Sequence, residues 1–454
     1  MEVLTSIKTA MGKAVIEEGN PAKIDEAMLE SRRVFNEVLV KLLNGVKVND
    51  KDIQSFLVDN TKQRIIAKAR ETFKSFKELK EKGEAEELRI YENKPLPLRM
   101  NLGEGYNLWI DGDGRIRFRI TLIPRKEYVK GYLKFSEEHE EIVKKAVEEK
   151  EKAIKLRKQG IDYIPEYDVT IAELVKRKRE YFLHITITRN LPVSSVRHAA
   201  GIDINEDNIA ITVYDLIARK VVDSFIVDHT IIKFLRHYWF TISKRMKEHR
   251  ARSRKKLGFT KKEHRQVEYL LHLISKRVVD YLSKYQGLIV FMEDLNGVRN
   301  GKDKGRRMNK RLHAWPFHKL QQFLKYKLEW FGVPVRFVNP EDTSRRCPLC
   351  GVLGVRHKKL FTCPNGHKGH ADRNASINIL IRGCIMYLHV PYSAFRLMKL
   401  PNFKMWKLRR KESRAWGIVN MPLPAGGKPH TTAQRWEALT LQSQREEAPS
   451  LSLG

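Results

Sequence analysis

Cysteine is scarce in this 454-residue chain, with four residues in all, so a disulfide framework is excluded as the source of its stability. Long apolar runs are missing as well. The greasiest stretches, such as QGLIVFME, are strand-sized and far short of the roughly 20 residues a membrane span needs. The first residues, MEVLTSIKTAMGKAVIEEGNP, carry acids and no long apolar core, and do not read as a secretory signal. With 26 Gly and 17 Pro the composition is neither fibrous nor low-complexity. Acids are in deficit: 54 stand against 87 Lys and Arg, a formal net charge of +33. Such an excess serves solubility or attraction to an acidic membrane surface in some proteins. An extended basic surface is better matched by a polyanion, whose phosphates it neutralises with release of counterions. The expectation is a soluble, intracellular protein with no membrane partner.

What is present is enough apolar material, 42% of residues, to build two or three packed units. Residues 1 to about 90 read as helical. PAKIDEAMLESRRVFNEVLVKLL sets Ile24, Met28, Val34, Val38, Val40, Leu42 and Leu43 at imperfect helical spacing, begins at Pro21 and stops at Gly45. DIQSFLVDNTKQRIIAKARETFKSFKEL reads the same way. Residues 91–195 read as β-rich with an inserted helix. GYNLWID and GRIRFRITLI flank the tight turn Asp111-Gly112-Asp113-Gly114, KGYLKF and YFLHITITRN add strands, and Glu137 to Gln159 supplies the helix.

From about residue 196, AAGIDINEDNIAITVYD and RKVVDSFIVD give three strands, followed by a helical zone over 230–284 broken near Leu257-Gly258-Phe259. QGLIVFMEDL and VPVRFVNP are strands, HKLQQFLKYKLEWFG is an amphipathic helix between them, and DRNASINILIRG is helical. The order β-β-β-α-β-α-β-α predicts an RNase H-like mixed sheet. Beyond residue 400 the chain turns to Pro, Gly, Thr, Gln and Glu, and a poorly ordered tail is expected.

Asp203 in GIDIN, Glu293 after GLIVFM, and Asp372 at a helix start all stand where apolar core elements end. Acids held together need a cation, and Mg²⁺ takes carboxylate oxygen. Each acid alone has a plainer reading as a turn residue, a helix cap or a surface group. Cys347, Cys350, Cys363 and His367 form a C-x₂-C pair, then a Cys and a His after a 12-residue loop, a spacing that suits structural Zn²⁺. Cys384, in LIRGCIMYL, reads as a buried small hydrophobe.

Basic residues cluster. Thirteen Lys or Arg and two Glu lie between Lys233 and Arg265, and Arg252, Arg254, Lys255, Lys256, Lys261 and Lys262 are candidates to track phosphates. Arg306, Arg307, Lys310 and Arg311 form a second patch beyond Glu293, and Arg345, Arg346, Lys358 and Lys359 flank the cysteines. A solvated face is the alternative for each. Trp315, Phe317, Tyr106 and Trp109 are candidates to stack on bases, with hydrophobic packing as the alternative.

Four stretches carry a family likeness: GIDINEDNIAI, EYLLHLISKRVVDYLSKYQGLIVFMEDLNGV, WPFHKLQQFLKYKLEWFGVPVRFVNPEDTSRRCPLCG and FTCPNGHKGHADRNASINI. In this order and around a cysteine pair, they resemble the TnpB (OrfB) proteins of bacterial and archaeal insertion sequences, relatives of the compact type V CRISPR nucleases. The resemblance covers about 196–390. It implies an α+β multidomain chain whose RuvC/RNase H-like nuclease domain comes in two parts, 196–342 and 372–400, around a zinc-knuckle insertion at 343–371. An N-terminal helical recognition region (1–90), a β-barrel-like wedge region (91–195) and a flexible tail (401–454) complete it.

By the same resemblance, Asp203, Glu293 and Asp372 are catalytic acids that hold Mg²⁺, or Mn²⁺ in its place. The implied activity is RNA-guided cutting of DNA, with guide RNA and target DNA as partners, in a transposable element of a prokaryote and hence in its cytoplasm or nucleoid. The family has a second Cys-x-x-Cys where Gly366 stands, which nominates His367 as fourth zinc ligand with His370 as rival. The early strand that precedes the family's recognition helices is not visible at this N-terminus, which reads as helical from the start. Two other readings remain open: a nuclease without a guide, and a non-catalytic DNA-binding transposition accessory protein. The zinc unit is expected to brace Asp372.

Overall fold

The computed structural model of the protein describes residues 3–83, 85–88, 90–92, 94–248, 259–295, 317–395 and 404–407. The chain divides into two compact units, Met1–Ser194 with Glu329–Gly332, and Ser195–Leu328 with Val333–Gly454. Among the described residues no helix is long and apolar enough to cross a membrane.

The first unit corrects the helical reading of the N-terminus. Its first sixteen described residues form strand β1 (Val3–Glu18), which lies at the centre of a seven-stranded sheet ordered β2-β6-β7-β1-β5-β4-β3. The other strands are β2 (Leu98–Asn101), β3 (Tyr106–Ile110), β4 (Ile116–Ile123), β5 (Glu127–Lys134), β6 (Tyr167–Arg177) and β7 (Glu180–Pro192). The physical reason for the misreading is an inverted hydrophobic pattern. The buried positions of β1 are small, Ser6, Ala10, Gly12 and Ala14, while Val3, Ile7 and Met11 face outward. Small residues are required there: a Cβ on Gly12 would meet the Phe135 ring at 2.6 Å, and one on Gly131 would meet the Val15 carbonyl at 1.8 Å. Periodicity looks for large apolar side chains on the inner face, and here the inner face has no room for them.

An isolated bridge pairs Leu102, just past edge strand β2, with Tyr106 at the start of edge strand β3. Strand β6 escaped the sequence reading because a bulge between Val169 and Ala172 breaks its alternation. Helices α1 (Pro21–Leu43) and α2 (Asp59–Glu81) pack their apolar faces into the same core. Asn20 caps α1, its side chain accepting from the Ala22 amide at 3.0 Å. Helix α3 (Glu137–Lys158) opens with acids and ends with bases, in accord with its dipole. Tyr106 is only 1% exposed, so it belongs to this core and is no base-stacking surface.

The second unit holds a six-stranded mixed sheet, β12-β11-β8-β9-β10-β16. Strands β8 (His198–Ile204), β9 (Asn208–Asp215) and β10 (Lys220–Asp228) form an antiparallel meander. Strands β11 (Leu288–Glu293) and β12 (Val335–Val338) run parallel to β8, completing a mixed sheet, as the alternation predicted. One face, with Ala200, Ile202, Val290 and Met292, packs on α4 (Thr230–Glu248), α5 (Phe259–Leu282) and α6 (Phe317–Trp330). The opposite face, with Ala199, Ile289 and Phe291, packs on α7 (Ala371–Leu388).

A small sheet of β13 (Val355–His357), β14 (Leu360–Thr362) and β15 (Lys368–His370) precedes α7 directly. The expected tail needs one correction: Lys404–Lys407 form β16, parallel to β10, and the rest of 401–454 lies outside the described residues.

Candidate metal and nucleic-acid site

Strand periodicity aims two of the three acids at α7. Side chains alternate across a strand, and Asp203 shares the parity of Ala199, while Glu293 shares that of Ile289 and Phe291, all on the α7 face. The β8–β11 register runs through Ile202–Met292, so Asp203 and Glu293 occupy the next, adjacent positions of neighbouring parallel strands. Helix α7 reaches them because it lies unusually close. A Cβ on Gly201 would meet the Ser376 carbonyl at 2.1 Å, and one on Gly383 would strike the Phe291 ring. Asp372, second residue of α7, is thereby carried to the strand ends and fully buried.

The carboxylates sense one another. Burial, then the charges of Glu293 and Asp372, push Asp203 up to about 8, against the Asn205 amide that donates to Oδ2 at 2.7 Å. Burial also raises Glu293, opposed by the Thr343 hydroxyl, which donates to Oε1 at 2.5 Å. Asp372 behaves differently. Burial alone would raise it, but it is held below the usual carboxylate range by the Lys359 ammonium and the Asn208 amide, both on Oδ2, at 2.7 and 3.0 Å, with Arg356 on Oδ1 at 2.8 Å. Lys359 also reaches Asp207 at 2.9 Å.

Asp203 therefore feels the charges of both other acids, although the three are not among the described groups whose ligand atoms all lie within 4.8 Å of one another. Among the described residues Asp372 is paired with cations, while Asp203 and Glu293 form no ion pair. Such a set of hard oxygen donors, two of them reluctant to ionise, fits a divalent ion of the Mg²⁺ or Mn²⁺ kind.

Among the described residues, Cys347, Cys350, Cys363 and His367 are the group whose ligand atoms all lie within 4.8 Å of one another. Cys347 Sγ stands 3.5 Å from His367 Nδ1, and Cys350 Sγ 3.4 Å from Cys363 Sγ. Two tight turns present them. Gly351 donates to the Cys347 carbonyl and Gly366 to that of Cys363, both glycines at positive φ (77° and 82°). The turn conformation explains a glycine where a second thiolate was expected. His370 instead occupies the N-cap position of α7. The Val352 amide leads in holding the Cys350 thiol down to about 6, whereas burial pushes Cys347 up to about 11. A metal favours ionisation of both, and the Cys₃His donor set fits tetrahedral zinc. Cys384 is buried in the α7 core, and burial raises its thiol.

The basic candidates separate. Arg252, Arg254, Lys255, Lys256, Arg306, Arg307, Lys310, Arg311 and Trp315 lie outside the described residues, as do the side chains of Lys261 and Phe317. Lys262 is exposed, its ammonium 6.0 Å from the centre of the Trp239 ring. Arg345 is exposed beside Asp342. Arg346 donates to the Gly351 carbonyl at 2.8 Å, which ties it to the first cysteine turn. Lys359, read from sequence as a phosphate contact, lies instead on Asp207 and Asp372. Arg356, Thr343, Asn205 and Asn208 were not singled out from sequence. The two Asn lie in the same GIDINEDN segment as Asp203 and Thr343 in the stretch NPEDTSRRCPLCG, whereas Arg356 carried no signal.

Comparison with known proteins places this architecture. The fold is that of the Cas12 effectors: it superposes on Cas12f1, solved in a complex with single-guide RNA and target DNA, with a TM-score of 0.57 at 14% identity, over 83% of this chain and 98% of that one. A family model described as the Cas12f1-like TNB domain matches residues 317–379. A TnpB-like protein of Methanocaldococcus jannaschii is 34% identical over 186 residues, 37% of this chain and 62% of that protein. A TnpB-like protein of Aquifex aeolicus is 26% identical over 46% of this chain and 75% of its own length. The CRISPR-associated endodeoxyribonuclease Cas12f1 of Sulfoacidibacillus thermotolerans is 35% identical over 24% of this chain, but that match spans only 26% of the relative. The chain is thus similar in sequence to TnpB-like proteins and, over shorter stretches, to Cas12f1, and it spans less than two thirds of the length of the Methanocaldococcus relative.

Proposed function

We propose that this protein is a magnesium-dependent, RNA-guided DNA endonuclease of a transposable element, with Asp203, Glu293 and Asp372 as its metal-holding catalytic acids. The observation that supports the reading is that Asp203 feels the charges of Glu293 and Asp372, acids from two other elements, with Asp203 and Glu293 both raised chiefly by burial. Bound there, Mg²⁺ would supply a Lewis acid for the phosphodiester and lower the pKa of the attacking water. Arg356 and Lys359 neutralise Asp372. Zinc on the Cys₃His set is structural, since all four positions are filled by side chains.

The guide and the target rest on a net charge of +33 and on relatives that include endodeoxyribonucleases. The basic groups from Arg252 to Lys262 and from Arg306 to Arg311 are the proposed phosphate contacts. A prokaryotic cytoplasm or nucleoid follows from the same relatives. The test is to purify the protein from its native genomic context, sequence the RNA it carries, and offer DNA complementary to that RNA in Mg²⁺. Cleavage should follow the RNA sequence and fall at least about a hundredfold in Asp203→Ala. Cutting that ignores the RNA would favour a nuclease without a guide. Full nucleic-acid function in Asp203→Ala and Glu293→Ala would favour a non-catalytic accessory role.

A further inference from the structure

The segment between β12 and the first zinc turn does more than connect them. Thr343 is 3% exposed, and its hydroxyl meets Glu293 Oε1 at 2.5 Å. The Pro340 carbonyl is a second acceptor at 3.2 Å, the longer of the two contacts. The hydroxyl thus fixes one rotamer of Glu293, whose own backbone carbonyl is held from the other side by Gln321 Nε2 at 2.6 Å.

Thr343 is itself held. Asn378 of α7 donates to the Thr343 carbonyl at 2.7 Å and to the Arg346 carbonyl at 2.6 Å. Asn374, one turn earlier, donates to the Arg346 carbonyl at 2.8 Å. Both side chains are less than a tenth exposed, and one residue past Arg346 the first zinc ligand begins. The helix that supplies Asp372 therefore also grips the stretch that aims Glu293.

We propose that Thr343 is a positioning residue for the divalent-ion site, orienting Glu293 through its hydroxyl, and that Asn374 and Asn378 hold Thr343 in place. This rests on the reading of Glu293 as a metal-holding acid. The side chains of the first turns of α7, Asp372, Asn374 and Asn378, then act together. The acid reaches the ion, and the two amides keep a second acid aligned with it.

The experiment uses the full zinc-loaded chain and reads Mn²⁺ binding by electron paramagnetic resonance of the free ion, with thermal melting alongside. Thr343→Val keeps the shape and removes the donor, and Thr343→Ser keeps the donor. Thr343→Val should bind Mn²⁺ about tenfold more weakly, the usual effect of losing a partner of a metal ligand. Thr343→Ser should stay within about twofold of wild type, with its melting temperature unchanged. Wild-type Mn²⁺ affinity in Thr343→Val would overturn the proposal. If that variant does not fold, Thr343→Ala and Thr343→Ser, which differ only in the hydroxyl, make the same comparison. Asp203→Asn serves as control. Should it also bind Mn²⁺ like wild type, the carboxylate site itself is wrongly assigned; should it alone lose binding, only the role of Thr343 falls.

Discussion

Asp203→Asn should stabilise the magnesium-free protein, and increasingly so as pH rises. Folding moves the Asp203 carboxyl from 3.8 to about 8. A raised acid favours the folded state while protonated, and that advantage is lost between the unfolded and folded pKa values as pH rises. From pH 4 to pH 7 the loss is about 4 kcal/mol at roughly 1.4 kcal/mol per unit, an upper bound because local rearrangement admits water. Even a third of it shifts melting by about 3–5 °C in a unit of this size.

The amide of Asp203→Asn never ionises, and its oxygen still accepts from Asn205. Melting of the two proteins, zinc retained and magnesium removed, should nearly coincide near about pH 4.5 and diverge near about pH 8, the variant higher. Added Mg²⁺ should then raise the wild type more than the variant, because only the wild type binds it well. A difference that does not change with pH, or a variant that melts lower near pH 8, would refute the electrostatic reasoning.

Two further outcomes follow from the cations and the zinc set. Lys359→Met leaves buried Asp372 with one cation fewer. Discounted for the 43% exposure of Lys359, the cost is about 1 kcal/mol near neutral pH. Because the pairing lowers the pKa of Asp372, that cost should shrink as pH falls below the ordinary carboxylate range, which melting of the variant across pH checks. Cys363→Ser should lower the zinc content from one ion per chain, measured by atomic absorption, and open residues 343–371 to limited proteolysis while strands β8 to β11 stay protected.

Much of the second unit was legible in the sequence, because its strands are buried on both faces and read as plain apolar runs ended by polar residues. The acids stood out for the same reason: Asp203 and Glu293 each terminate such a run. The first unit hid its central strand, since Ser6, Ala10, Gly12 and Ala14 carry the inner face of β1 and leave no hydrophobic alternation to find. The site's surroundings were the least readable. Arg356 and Thr343 meet Asp372 and Glu293 only after a zinc unit and a helix have folded back on the sheet, and no local spacing encodes that return.

Strand β16 gives the sheet's outer rim a cover. Without Lys404–Lys407, the backbone of β10 from Phe225 to Asp228 would present bare amides and carbonyls to any passing chain. A shortened version cut at the end of α7 would keep every acid and every zinc ligand yet turn self-adhesive along that seam.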